Sequence, residues 1–370
     1  MPGRNCTMKK DDHLTASNRR PLIIPIFIMN SGCPHRCIFC NQKITAGNYS
    51  PEITREFFDG EVMSYLNWNK DKFRGAEIAF YGGSFTGIER ERQEKLLAWA
   101  NFYLEKGLAD SIRISTRPDC ISLDILSVLK SYNVQTVEIG AQSFVDEVLQ
   151  FAQRGHNADA TITAIHLLKE SGFKTGLHLM PGLPKDTEEG FMYSLGKTIE
   201  LKPDTVRIHP VVVFRGTALA DAFQQGNYRP LPLSEAVNLC RLAWDKLSAA
   251  GIPIIRTGLH WTKEMEDKST LLAGPLHPAF GHLVLSALFY DRTQKLLENI
   301  PDTTQEINFH LSPQDVSNFH GLNNGNISAI KKLYPRTVIK VRMSKEQKRG
   351  SISLSTDQGL FLTTEISGIN

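Results

Sequence analysis

No apolar run in this chain approaches the roughly 20 residues that cross a bilayer. The longest early one, Leu22 to Met29, contains Pro25 and has the length of a strand. Residues 1–20 hold Lys9, Lys10, Asp11, Asp12, Arg19 and Arg20 and no apolar core, so they read as a polar, disordered tail and not as a secretory leader. No membrane partner is expected, and the cytoplasm is the expected compartment. Charge of one sign is not in excess either. The 42 basic residues face 39 acidic ones, for a net charge of +3, so any basic surface must be local. Cysteine is scarce, with six residues in 370. A disulfide framework suits a small secreted chain and not this one. There is no internal repeat and no low-complexity tract.

What is present is an ordinary globular composition, 41% hydrophobic and 22% charged. Strand-like and helix-like segments alternate. Candidate strands cover 22–29, 76–81, 111–115, 134–140, 173–180 and 204–213, short and rich in Ile and Val as buried parallel strands are. Amphipathic stretches near 53–67, 89–106, 121–131, 157–171 and 187–200 lie between them. This βαβ rhythm points to an α/β fold, an open six-stranded partial β/α barrel over residues 21–260, with a doubly wound sheet as the alternative. A helix fits 234–250, and Gly251-Ile252-Pro253 breaks it. Residues 261–370 read as a small C-terminal α/β appendage, a candidate substrate- or RNA-binding region. Its elements fall at 278–298, 305–311, 312–320, 325–333, 337–343 and 351–355.

Three of the six cysteines crowd into eight residues, Cys33-Pro34-His35-Arg36-Cys37-Ile38-Phe39-Cys40, after the first strand. A tight thiol cluster in a reducing compartment reads as metal binding. A four-iron cubane normally takes four thiolates. With three, one iron stays open, and an open position is where a reactant binds. Two other readings exist. A Cys3His zinc site would recruit His35, at the cost of a short strained ring. A closed electron-transfer cluster would draw a fourth ligand from Cys120 or Cys240. The second strand ends in Phe80-Tyr81-Gly82-Gly83-Ser84-Phe85, where paired glycines let backbone approach a ligand. In 204–209, Arg207 and His209 share one face and Val206 and Ile208 the other. That leaves Arg207 facing either a ligand or an acidic neighbour.

The C-x3-C-x2-C spacing with Phe39 before the last cysteine, followed one strand later by Gly82-Gly83, resembles the radical S-adenosylmethionine (SAM) superfamily. Later segments resemble the radical SAM half of the Elongator catalytic subunit and its short bacterial relatives. They are Ser115-Thr116-Arg117-Pro118-Asp119, Glu138-Ile139-Gly140-Ala141-Gln142-Ser143, Arg154-Gly155-His156, Met180-Pro181-Gly182-Leu183-Pro184 and Arg215-Gly216-Thr217. Oxygen-independent coproporphyrinogen oxidase is a more distant likeness.

The resemblance implies a 4Fe-4S cluster on Cys33, Cys37 and Cys40, with SAM on its open iron. It implies that Phe39 packs near the adenine and that Gly82, Gly83 and Ser84 hold the methionine end. Gln142 and Arg154 match positions that contact SAM. Ser115 and His178 stand where acidic ribose ligands are found in coproporphyrinogen oxidase. An external one-electron reductant of flavodoxin or ferredoxin type would drive reductive cleavage of SAM to a 5′-deoxyadenosyl radical. No side chain is assigned as a catalytic acid or base. The Elongator likeness suggests tRNA as substrate, although too few residues follow position 290 for that family's acetyltransferase domain. Between Lys331 and Arg349 lie eight basic residues and a single acid, Glu346, a stripe suited to phosphates. A small-molecule substrate, porphyrin-like or other, and a non-catalytic iron–sulfur protein are the alternatives.

Overall fold

A strand covered on both faces must be apolar along its length, whereas one that faces a lumen alternates. The main sheet does the second. Leu22, Ile24 and Ile26 of β1 (Leu22–Phe27) are buried, and the residues between them only partly so. In the computed structural model, which describes residues 21–29, 31–46, 53–69, 75–259, 265 and 269–369, this strand opens a sheet of seven. The polar tail expected at 1–20 lies outside the described residues. The sheet continues through β2 (Ala76–Tyr81), β3 (Ser111–Thr116), β4 (Val134–Gln142), β5 (Lys174–Leu179) and β6 (Thr205–Ile208). A two-residue β7 (Val213–Phe214) follows outside it, and β8 (Ile254–Thr257) closes it.

All neighbours are parallel, and the spatial order β1-β2-β3-β4-β5-β6-β8 is the chain order. A doubly wound sheet reverses its order at a switch point. Here nothing reverses, so right-handed crossovers put every helix on one side and the sheet curls into an open barrel. The expected partial barrel is therefore present, with seven strands and not six. The extra strand, Ile254-Ile255-Arg256-Thr257, is four residues long and directly follows the Gly251–Pro253 break. So short a run carries no period of its own. The expected strand 204–213 also divides, because β7 pairs with β9 (Leu271–Ala273) and not with the barrel.

Outer helices begin where the sequence offers a cap. The side chains of Thr54, Ser122, Asn157 and Thr187 each accept the backbone N–H three residues on. Beneath them Phe58, Phe80 and Phe85 form a fully buried aromatic column, with centroids 6.2 and 4.9 Å apart. Among the described residues no helix is long and apolar enough to cross a membrane.

The concave side carries charge. Arg113 on β3 binds Glu77 on β2 at 2.7 Å and Glu138 on β4 at 2.5 Å. Arg207 on β6 reaches Glu138 at 3.1 Å and donates to the Tyr81 hydroxyl at 2.5 Å. Of the two sequence readings of Arg207, the acidic neighbour is realised. Burial opposes the charge of Arg113, but Glu138 and Glu77 outweigh it and hold its pKa above the usual value.

A second sheet follows, in the order β11-β10-β12-β13: β10 (Glu306–Leu311), β11 (Val338–Met343), β12 (Ser351–Thr356) and β13 (Phe361–Glu365). Ile307, Phe309, Leu311, Ile352 and Leu354 turn inward and are fully buried. The sheet rests on the helix Phe280–Leu297.

Glu138 serves two arginines at once, and removing one partner of a buried pair leaves uncompensated charge. Glu138→Gln should lower stability by about 3 to 5 kcal/mol in a denaturant titration. An unchanged midpoint would mean that water, not Glu138, neutralises these arginines.

Candidate functional site

The loop after β1 cannot be placed without glycine. Gly32 has φ +71°, and a Cβ there would lie 2.2 Å from the Ser84 carbonyl oxygen. A Cβ on Gly83, φ +60°, would lie 2.3 Å from the Ser31 carbonyl oxygen, and one on Gly87 would lie 2.1 Å from that of Gly32. The Ser84 N–H donates to the Ser31 carbonyl at 2.8 Å. The start of the cysteine loop and the Gly82-Gly83 turn thus interlock backbone to backbone. The far end of the loop is tied down as well. Ile38 N–H donates to Ala152 O, Leu219 N–H donates to Ile38 O, and Asn41 Nδ2 donates to Arg215 O, at 3.2, 2.9 and 2.9 Å. Phe39 and Ile38 pack on a small core that includes Val148, Met180, Leu183 and Leu219.

The three thiols are electrostatic neighbours. Burial and then Cys37 raise the pKa of Cys33, while Arg117 and Arg154 pull it down. The Cys40 thiol is raised by desolvation of its sulfur, then by Cys37 and Cys33. Arg154 Nη1 donates to Cys37 Sγ at 3.1 Å, and Nη2 to Gly140 O at 2.5 Å. Arg117 holds Arg154 in turn. It donates to the Arg154 carbonyl and grips Asp119 with two bonds of 3.0 Å. Arg154, expected from the sequence to meet SAM, is therefore anchored on a cluster-loop sulfur. Among the described residues no three His, Cys, Asp or Glu side chains converge as ligands of a single ion. His35 rests against Gly155. Cys240 is buried in the helix Leu233–Ala249 and belongs to the core. Cys120 lies nearer. Burial raises its pKa, and hydrogen bonds to Ser84 and Arg117 oppose the rise.

The other expected residues line the C-terminal strand ends. Gln142 ends β4 at φ +71°, an uncommon conformation for a side-chain-bearing residue. Its Oε1 is buried without a partner. Gly140 makes room for it, since a Cβ there would lie 3.0 Å from Gln142 Nε2 and 3.4 Å from Arg154 Nη2. His178 and His209 meet edge to face, with centroids 4.3 Å apart, and the Nε2 of each is unpartnered. Burial, then Arg207 and Arg154, lower His178 to about 3. Burial, then His178, place His209 well below its usual value. Both imidazoles are neutral and can bond a hydroxyl. Ser115 lies on the concave row with Arg113, in register with Glu138. Ser84 stands at the base of the glycine turn. It is fully buried, and its hydroxyl bonds Thr116 Oγ1 at 2.8 Å and accepts the Arg117 N–H at 3.3 Å, so it braces the glycine turn. Gly32, Gly87, Thr116 and Arg117 were given no role from sequence. Thr116 and Arg117 are visible in the sequence only as motif members, and all four matter through contacts distant in the chain.

Gly87→Ala should force the interlocked turns apart. Iron incorporation on reconstitution should fall several-fold while far-UV circular dichroism is kept, and normal iron uptake would refute the interlock. The histidines give a pH signature. Their folded pKa values lie below the unfolded value near 6.5, so the unfolded chain binds more protons in that window. Stability should be full above pH 6.5 and fall as pH drops toward 4, by up to about 1.4 kcal/mol per pH unit for His178. His178→Gln should flatten the denaturant-midpoint profile. A flat wild-type profile would show that these imidazoles are not desolvated.

Comparison with known proteins agrees with this geometry. Residues 27–195 match the family model described as Radical SAM superfamily, and residues 203–289 match the Radical_SAM C-terminal domain. A tRNA uridine(34) acetyltransferase of Methanocaldococcus jannaschii is 28% identical over 262 residues, covering 60% of this chain and 48% of that one. The Elongator complex protein 3 of Homo sapiens is 34% identical over 199 residues, covering 48% and 36%. The chain spans about half the length, or less, of these curated relatives. The solved structure of Methanocaldococcus infernus Elp3 with an N-terminal deletion shares the fold, at TM-score 0.55 and 22% identity over 75% of this chain and 64% of that one. With two consecutive family models spanning the barrel and the helices after it, this chain belongs to the radical SAM superfamily, enzymes that work with a 4Fe-4S cluster and SAM.

Proposed function

We propose that Cys33, Cys37 and Cys40 carry the cluster and that the chain uses it to modify tRNA. The observation that carries the site is the seat of the thiols. Three sulfurs share one loop, burial and then Cys37 raise the Cys33 and Cys40 thiols, and the start of that loop is locked against the Gly82-Gly83 turn. Three thiols within eight residues supply the ligand type that iron–sulfur clusters take. The donor set fits a cluster with one open iron, and the unpartnered atoms beside it fit SAM. Buried polar atoms without partners cost about 1 to 3 kcal/mol each, and here Gln142 Oε1, His178 Nε2, His209 Nε2 and Arg154 Nε gather at one end of the barrel.

When bound, cluster and SAM together supply a one-electron cleavage that yields methionine and a 5′-deoxyadenosyl radical able to take hydrogen from a C–H bond. The chain's own residues bind and orient. The turn at Gly82 and Gly83 offers bare backbone to the methionine end. Phe39, Gln142, His178 and Ser115 would hold SAM, the first through its ring and the other three through their polar side chains. Arg154 steadies Cys37, and Ser84 keeps the glycine turn in place. The electron comes from an external donor of flavodoxin or ferredoxin type. For the substrate, support comes from the named relatives that act on tRNA uridine 34 and from the basic stripe at 331–349.

The test is anaerobic reconstitution with iron and sulfide, reduction by dithionite, and incubation with SAM with and without bulk tRNA. The expected result is 5′-deoxyadenosine, increased by tRNA, with Cys37→Ala losing both the cluster absorbance and the product. No deoxyadenosine under either condition refutes the radical reading, and no response to tRNA refutes the substrate.

A further inference from the structure

The four-stranded sheet of residues 306–365 lies beyond both family-matched segments, and one of its faces is polar and largely open, with Gln347 lying over Ser351 and Ser353. Strand register defines that face. Lys340 pairs with Asn308, Asn308 with Ser355, and Ser355 with Phe361, so these four side chains form one row. The next row runs Arg342, His310, Ser353 and Thr363. The opposite face holds the buried Ile307, Phe309, Leu311 and Leu354. The open face is therefore polar and rich in donors, with one large aromatic. Phe361 is 65% exposed.

Basic residues outnumber acidic ones beside it. Lys340 is held by Glu306 at 2.6 Å, Lys348 by Glu365 at 2.9 Å, and Arg342 by Asn308 at 2.8 Å. Lys331, Lys332, Arg336 and Lys345 are exposed and form no ion pair among the described residues. They flank β11, the edge strand, from the last turn of the helix Gly325–Leu333 and from the turns at its two ends. Lysine and arginine on an edge strand protect it from pairing with another chain. That accounts for Lys340 and Arg342, which lie on the strand, but not for four cations off it. Exposed cations that form no ion pair are free to neutralise the phosphates of a polyanion.

We infer that this open sheet face and its basic edge are a binding surface for RNA, with Lys331, Lys332, Arg336 and Lys345 on phosphates and Phe361 under an unpaired base. The inference rests on the tRNA reading and names where that RNA is held. Phosphate and base contacts separate experimentally, because only the first sets the salt slope.

The experiment is tRNA binding to the full chain by anaerobic fluorescence anisotropy across a salt series, with sedimentation of each sample. The variants are K331A/K332A/R336A/K345A, F361A and, as a control of equal charge, K95A/K106A/K130A/K174A on the barrel. The quadruple edge variant should bind at least tenfold more weakly and lose about three from the log–log salt slope. F361A should bind roughly tenfold more weakly with the slope unchanged. The barrel control should bind like wild type, and all variants should keep cluster absorbance. If wild type binds tRNA and both sheet variants bind equally well, or the barrel control falls as far as the edge variant, the surface is elsewhere and the tRNA reading stands. If wild type binds no tRNA at all, the substrate reading falls with it. If the edge variant changes only self-association, the surface is an interface between copies of this chain.

Discussion

The site depends on one steric fact: three glycines let two loops touch through bare backbone. Gly32, Gly83 and Gly87 bring the start of the cysteine loop to within atomic contact of the turn after β2. No side chain fits at any of these contacts. The thiol loop is thereby tied to the strand that ends in the glycine turn, and both stand at the same end of the barrel. A cluster held by cysteines alone would be free to swing on its loop. Here the loop is fixed at its start by that contact and at its end by hydrogen bonds to Ala152, Leu219 and Arg215.

The barrel interior is organised by charge where most protein interiors are organised by apolar packing. Glu77, Arg113, Glu138, Arg207 and Tyr81 link four strands across the concave face. Such networks cost desolvation and are retained only where partners are complete. At the C-terminal end of the same face the partners stop. Gln142, His178 and His209 keep buried atoms with nothing to bond, and Gln142 takes a strained backbone conformation to do so. The charge-paired network gives rigidity, and the unpartnered atoms at its end give a place for a ligand. The two share a wall through Arg207, which pairs with Glu138 and also lowers the pKa of His178.

The family models match the barrel and the helices that follow it. Both family models end by residue 289, and the sheet that follows is built from short alternating strands resting on the helix Phe280–Leu297. A radical-generating barrel sets the chemistry, while what it acts upon is chosen by surfaces attached to it. The uncommitted cations beside β11 are the feature of this attachment that a polyanionic substrate would use.

The sequence alone determined the rhythm of the fold and the spacing of the cysteine loop. Buried strands of Ile and Val, capped helices and a C-x3-C-x2-C spacing are local patterns, legible because each is written in neighbouring residues. It could not show that β8 exists, since four residues hold too little periodicity. Nor could it show that Arg207 is matched by Glu138, some 70 residues earlier, or that Ser84 spends its hydroxyl on Thr116. Tertiary structure alone decided which side of a polar residue meets a partner. It turned Arg154 onto a cysteine sulfur, left Gln142 and the two histidines open, and made Gly32 and Gly87 indispensable. The physical reason is the same in each case. Spacing fixes chemistry within a loop, whereas burial, charge pairing and steric contact between loops arise only when segments distant in the chain are brought together.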